Sequence, residues 1–243
     1  MTNRPQLKVI TLNVHRSRHL DLIQAFLQRE QPDVLCVQEL CANDIPLFRV
    51  IAGEQYQTVP LTIYTGDAKA CHFSIGIFSR HPIMATSVQY YSGSEGKLQQ
   101  SVAGDETTIN RAFLSGDVEK DGEVFRIGTT HFTWTPDGEA NATQRCDLQN
   151  LLEILQGEGE IVFMGDFNAP RGREIFSRIA ERYKDNIPSE YTTSIDGTFH
   201  RAGALPLMVD GIFSTPAYMV NNVRMVEGVS DHCAFVAEVG KVG

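Results

Sequence analysis

The stretch Ile161-Val162-Phe163-Met164-Gly165-Asp166-Phe167-Asn168-Ala169-Pro170 is a run of four apolar residues that breaks into Gly-Asp-Phe-Asn and then a proline. Four consecutive apolar side chains read as a strand buried on both faces, and the polar pair marks its end. Asp166 and Asn168 stand two apart, so an extended backbone projects both to one face, where a carboxylate and an amide can hold a phosphate or its nucleophile. The same residues also suit a turn in which Asp and Asn bond to their own backbone, and the sequence leaves both readings open.

Outward from this segment the chain is dominated by short strands. Val9-Ile10-Thr11-Leu12-Asn13-Val14 reads as a buried strand, followed by Leu20, Ile23, Phe26 and Leu27 at helical spacing and a second strand over 34–37. Ser17 is placed to cap that helix and Pro32 to stop it. Further strands are expected at 73–78, 113–118, 124–130, 161–164, 209–213, 218–226 and 233–239. Helical patterns return at 142–155, ended by Gly157, and at 173–183, just after Pro170. Many short strands with few helices suit two packed sheets flanked by helices better than a regular βαβ array. Residues 92–108, rich in Gly, Ser and charge, read as a loop or hairpin tip. No linker or repeat divides the chain, so residues 1–243 are expected to form a single domain.

Bulk composition narrows the function. Apolar residues make up 42% of the 243, with no run near the roughly 18 that a membrane span requires. The formal net charge of −9 gives no support to extended duplex binding, which calls for a basic face. No signal-peptide apolar region is legible, and the odd, scattered cysteines (Cys36, Cys41, Cys71, Cys146, Cys233) read as reduced packed thiols, so a cytoplasmic protein is expected. A monomer is the default.

Several expected strands end in a group capable of chemistry. Asn13 closes the first, Gln38-Glu39 the second, and Thr130-His131 the one beginning near Arg126. Ser230-Asp231-His232 precedes the last, and Asp210 puts a charge inside Val209-Asp210-Gly211-Ile212-Phe213, which is costly unless paired. Each alone is weak evidence, since a lone histidine or Ser-Asp-His is more often a satisfied turn group. Strand ends on one sheet rim, however, face one cleft. A serine hydrolase is disfavoured, because there is no Gly-x-Ser-x-Gly elbow.

In order and spacing, Leu-Asn-Val at Asn13, Val-Gln-Glu at Glu39, Thr-Thr-His-Phe at His131, Met-Gly-Asp-Phe-Asn at Asp166 and Asn168, Val-Asp-Gly-Ile-Phe at Asp210 and Ser-Asp-His at Asp231 and His232 resemble the endonuclease/exonuclease/phosphatase superfamily, which includes deoxyribonuclease I. The resemblance spans the whole chain. It implies an α/β (α+β) fold, a four-layered α/β/β/α sandwich with two mixed sheets, and a Mg²⁺-dependent phosphoesterase, with Mn²⁺ as an alternative occupant.

Phosphate-ester hydrolysis requires on the order of 20 kcal/mol of barrier lowering, whereas one general acid or base supplies about 10²–10⁴-fold, so a metal is expected on chemical grounds as well. By the resemblance Glu39 holds the ion, aided by Asn13. His232 is the base toward water, and Asp231 fixes its tautomer or orientation. Asp166 and Asn168 position the nucleophile and a phosphate oxygen, and His131, paired to Asp210, faces the leaving group. Arg111 reads equally as a phosphate ligand and as a solvated strand-end charge. In the superfamily's apurinic-site endonucleases the His131 station is a tyrosine, and an aspartate stands where this chain has His15. Both departures point to the histidine-bearing branches and to one principal metal.

The expected substrate is a small phosphodiester or a nucleic-acid end, of DNA or RNA. The alternatives are a lipid- or inositol-phosphate phosphatase and a non-catalytic binding or scaffold member of the fold. Trp134 reads as a packing residue, with stacking on a base as the other reading.

Overall fold

A computed structural model describes residues 4–65 and 70–242; residues 1–3 of the N-terminal segment read above lie outside them. Twelve strands are found among the described residues: β1 Gln6–Asn13, β2 Val34–Cys41, β3 Gln55–Tyr64, β4 Cys71–Ser79, β5 Ile83–Ser92, β6 Arg111–Lys120, β7 Glu123–His131, β8 Val162–Asp166, β9 Lys184–Asp185, β10 Asp210–Ser214, β11 Tyr218–Val226 and β12 Ala234–Lys241. Four helices accompany them: α1 Leu20–Glu30, α2 Ile45–Ala52, α3 Ala142–Glu158 and α4 Glu174–Ala180.

The strands form two six-stranded mixed sheets, ordered β11-β12-β1-β2-β4-β3 and β5-β6-β7-β8-β10-β9. Each has a parallel pair at its centre, β1 with β2 and β7 with β8, flanked by antiparallel neighbours. Three apolar clusters give the layering. Val9, Cys36, Ile77, Leu114, Ile127, Met164 and Phe235 pack between the sheets. Leu35, Val37 and Phe78 on the outside of the first sheet meet Ile23, Phe26 and Phe48 from α1 and α2. Phe113 and Phe163 on the outside of the second meet Leu148, Leu151 and Phe176 from α3 and α4. The central strands are therefore apolar on both faces, and the order of layers is α/β/β/α.

This topology decides where the site lies. The C-terminal ends of β1, β2, β7 and β8 and the N-terminal ends of β10 and β12 reach one rim, because the last two run antiparallel to their neighbours. In register, His131 of β7, Asp166 of β8 and Asp210 of β10 form one row, and Asn13 of β1 aligns with Gln38 of β2.

The structure departs from the sequence reading in identifiable places. β3 and β5 are edge strands that the apolar pattern does not reveal. β3 carries Pro60 at a register shift, and in β5 only Tyr91 is fully buried. The short α2 shows only Phe48, Ile51 and Ala52 as its buried face. Helix α1 is not capped by Ser17; His19 occupies the cap without a side-chain bond, while Ser17 Oγ accepts from the Cys41 amide. Gly157 does not end α3, which continues to Glu158 before Gly159 takes a positive φ. The cysteines are not all free thiols. Cys41 and Cys71 form a disulfide between β2 and β4, because adjacent antiparallel strands bring their Cα atoms to 5.6 Å; Cys36, Cys146 and Cys233 remain free. No helix among the described residues is long and apolar enough to cross a membrane.

Candidate active site

Local backbone devices bring the six polar stations together. Glu39 falls where the β2–β4 register shifts between Val37 and Leu40, and its φ is +56°. This bulge sends Gln38 between the sheets, with Nε2 3.0 Å from Thr129 Oγ1, and turns Glu39 onto the rim. In β8, Gly165 precedes Asp166 at φ +150°. A Cβ there would stand 2.1 Å from the Thr130 carbonyl oxygen, so only glycine lets β7 and β8 close in this geometry.

Gly-Asp-Phe-Asn forms the turn of the second reading rather than extended backbone. Asp166 Oδ1 accepts from the Asn168 amide at 2.8 Å, the expected turn, while Oδ2 points into the cleft 3.0 Å from Asn13 Nδ2. Asn168 has φ +48°, and its side-chain amide donates to the Phe132 carbonyl at 2.8 Å.

Asp166 is the hub. His131 Nε2 stands 3.5 Å and His232 Nε2 3.7 Å from its Oδ2, so two imidazoles flank one carboxylate that is 1% exposed. His232 Nδ1 donates to Asp210 Oδ2 at 2.7 Å, which fixes the ring and aims Nε2 at the cleft. Two pairings inferred from the resemblance are thereby corrected. Asp210 partners His232 rather than His131, since β10 and the segment before β12 meet behind the imidazole. Asp231 does not orient His232; adjacent residues point apart, and its Oδ2 lies 3.1 Å from His15 Nδ1.

Asn13 Oδ1 is occupied by the His15 amide, and its Nδ2 faces Glu39 Oε1 at 3.4 Å as well as Asp166. Asn13 thus bridges the two acids through its amide nitrogen. Two further expectations change. Arg111 is neither a solvated charge nor open to a phosphate. It is buried, bonded to Glu106 and to the His131 carbonyl, and so ties the base of the loop before β6 to the polar rim. Trp134 is 41% exposed beyond β7, not packed in the core.

Electrostatics set the rim apart. Burial opposes ionisation of Asp166, but His232 and His131 outweigh it and hold this carboxyl well below the usual range. Burial raises Asp210, against the opposing charge of His232. Burial likewise pushes Asp231 up to about 6 and His15 down to about 4. His232 resists burial and sits well above its ordinary value, because Asp210 and Asp166 stabilise its cation.

The donor set fits a hard divalent cation. Glu39 Oε2 is buried without a hydrogen-bond partner, and ligand atoms of Asp166, Asp210 and His232 lie within 4.8 Å of one another. His15 and Arg16, which the motifs did not single out as functional, also reach this rim. They stand at φ +44° and +59°, with Ser17 at +57°, in a left-handed turn that no glycine or asparagine announces. The 196–203 loop adds Phe199, whose ring lies 4.6 Å from that of His19, and His200, lowered by burial and by the charge of His232.

Two packed sheets thus carry a polar rim with paired imidazoles around a buried aspartate. The model of the Endonuclease/Exonuclease/phosphatase family matches residues 10–232, and the chain belongs to that family. No curated protein sequence matches it. Among solved structures, an endonuclease/exonuclease/phosphatase from Bacteroides vulgatus is 16% identical with TM-score 0.73, covering 98% of this chain and 100% of its own. The Bacteroides thetaiotaomicron mannosyl-6-phosphatase is 14% identical with TM-score 0.68, covering 96% and 99%. The human Nocturnin catalytic domain with bound sulfate is 18% identical with TM-score 0.67, covering 100% and 97%. At these identities the likeness is one of fold.

Proposed function

We propose that this protein is a Mg²⁺-dependent phosphodiesterase acting on nucleic-acid ends or on a small phosphodiester. The observation that carries the proposal is the placement of His131 and His232 on either side of Asp166, with His232 held by Asp210. Hydrolysis by in-line displacement needs a group for the entering oxygen and another for the leaving one. His232 Nε2 takes the proton of water as its oxygen attacks phosphorus and the P–O bond to the leaving oxygen breaks, and Asp210 stabilises the imidazolium that results. Asp166 orients the entering water, and His131 donates a hydrogen bond to the phosphoryl or leaving oxygen.

Glu39 and Asp166 would hold the ion, with Asn13 keeping their carboxylates apart. When bound, Mg²⁺ offsets charge on the phosphoryl oxygens and lowers the proton affinity of the neighbouring imidazoles. The test is turnover with Mg²⁺ and with chelator against single strands, a 5′-phosphotyrosyl oligonucleotide, simple phosphodiesters, sphingomyelin and inositol phosphates, with His232→Ala as control. Turnover of a diester that is lost in both chelator and variant supports the reading. Silence from folded, Mg²⁺-supplied protein favours a binding module instead.

A further inference from the structure

Beside the catalytic rim, on the far side of Glu39 from Asp166, lies a cavity of about 290 Å³ whose lining includes Arg16, Arg18, Asn43, Tyr64 and the Cys41–Cys71 disulfide. Arg16 stands between the two spaces. Its guanidinium carbon lies 4.4 Å from the centre of the Tyr64 ring and 5.7 Å from that of Phe73, and its Nη1 donates to the Tyr64 hydroxyl at 2.7 Å. Its Nε is buried and lacks a hydrogen-bond partner among the described residues, with Glu39 Oε2 at 3.6 Å. A planar fork stacked on aromatic rings, with donors left over, is the usual way a protein prepares to receive a phosphate or carboxylate.

The backbone reinforces this. Three successive residues in the left-handed region cost on the order of 1 kcal/mol each, and such strain persists only where the surroundings over-determine it. Here the Ser17 hydroxyl accepting from the Cys41 amide pins the turn to β2, and the disulfide ties that part of β2 to β4, whose Phe73 and neighbour Tyr64 form the stacking floor. The effect of the strained turn is to present Arg16 beside Glu39.

From these observations, the geometry points to an anion subsite at Arg16 that holds a second phosphate of the substrate, distinct from the one being hydrolysed. The cavity takes none of its lining from Asn13, Asp166, Asp210 or His232, so a group seated there is not the reacting phosphorus. The half-buried Asp44 in the lining disfavours a long polyanion threaded through the cavity. The substrate class is thus a diester carrying a neighbouring phosphate, either a strand end or a small bisphosphate. This rests on the phosphodiesterase reading above.

Two readouts test it separately from that reading. The first compares p-nitrophenyl thymidine 5′-phosphate with its 3′-phosphorylated form in Mg²⁺. The wild-type kcat/KM is expected to favour the 3′-phosphorylated form about ten- to hundredfold through KM, and Arg16→Ala to abolish that preference. The second measures calorimetric binding of thymidine 3′,5′-bisphosphate against thymidine 5′-monophosphate, which needs no turnover. Tighter binding of the bisphosphate that disappears in Arg16→Ala and is partly kept in Arg16→Lys upholds the subsite even if hydrolysis fails. No wild-type discrimination, or discrimination surviving in Arg16→Ala and in Tyr64→Phe, overturns it. Longer strands that gain over the bisphosphate identify a strand end as the source.

Discussion

The two ends of β2 each carry an acid, and their surroundings are opposite. Asp33, just before the strand, is met by Lys120 Nζ and His81 Nε2 at 2.7 Å and by the Lys8 amide at 2.8 Å; these contacts outweigh burial and hold its carboxyl below the usual range. At the other end Glu39 shares its rim with Asp166, Asp210 and Asp231, while three imidazoles, an amide and Arg16 at 3.6 Å face them. One end is neutralised by the protein itself. The other gathers more negative charge than fixed cations offset, at a cost in stability that a structural role does not explain. On the proposed reading, that contrast separates a charge cluster that serves folding from one that would accept a cation and a phosphate.

The largest effect expected at the rim is catalytic. His232→Ala should lower kcat on the best diester by about 10²–10⁴-fold, read by steady-state kinetics, and should also lower the melting temperature because it leaves the buried Asp210 without its partner, so circular dichroism at the assay temperature must show the variant folded. An unchanged kcat would remove the base from the mechanism and much of the contrast between the two ends.

Next in size is the response to Mg²⁺. At about a hundred times its dissociation constant the ion should stabilise the fold by about 2.7 kcal/mol. Thermal melts should show Glu39→Gln losing this gain and Asp33→Asn keeping it; a gain that followed Asp33 instead would reverse the assignment of the two ends.

Asp33→Asn itself should cost about 2 kcal/mol in denaturant unfolding while leaving the Mg²⁺-dependent rate in place. Because folding depresses the Asp33 pKa, its contribution is complete above the usual carboxylate range and fades as pH falls through the folded value.

The smallest effect has the opposite sign. Asp231 is pushed up to about 6, so the native state binds its proton more tightly than the unfolded chain does, and ionisation costs stability as pH rises from about 4 to 6. In chelator, Asp231→Asn should therefore gain stability at pH 8 and none at pH 4. A gain at pH 4 equal to that at pH 8 would show that packing, not charge, is responsible.

Much of this was legible in the chain. Buried central strands such as β8 and β12 announce themselves because both faces are apolar, and strand termini carry Asn13, Glu39, His131, Asp166, Asp210 and His232 in a family order that survives without any structure. Edge strands β3 and β5 were not legible, since half-solvated pairing leaves no apolar run. Nor were the partners of the site residues. Asp210 and His232 are 22 residues apart, and only the antiparallel meeting of two strands makes them a pair.

The sequence by itself determined the fold family, the layered sandwich and the set of polar residues on one rim, because burial pattern and motif order are properties of the linear chain. Tertiary structure alone decided the Asp210–His232 and Asp231–His15 pairings, the withdrawal of Arg111 into structural bonds, the Asn13 Oδ1 bond to the His15 amide, the Cys41–Cys71 link and the strained turn carrying Arg16. Each of these depends on register, on a bulge or on a left-handed backbone, and such geometry is set by contacts between distant segments that local spacing does not encode.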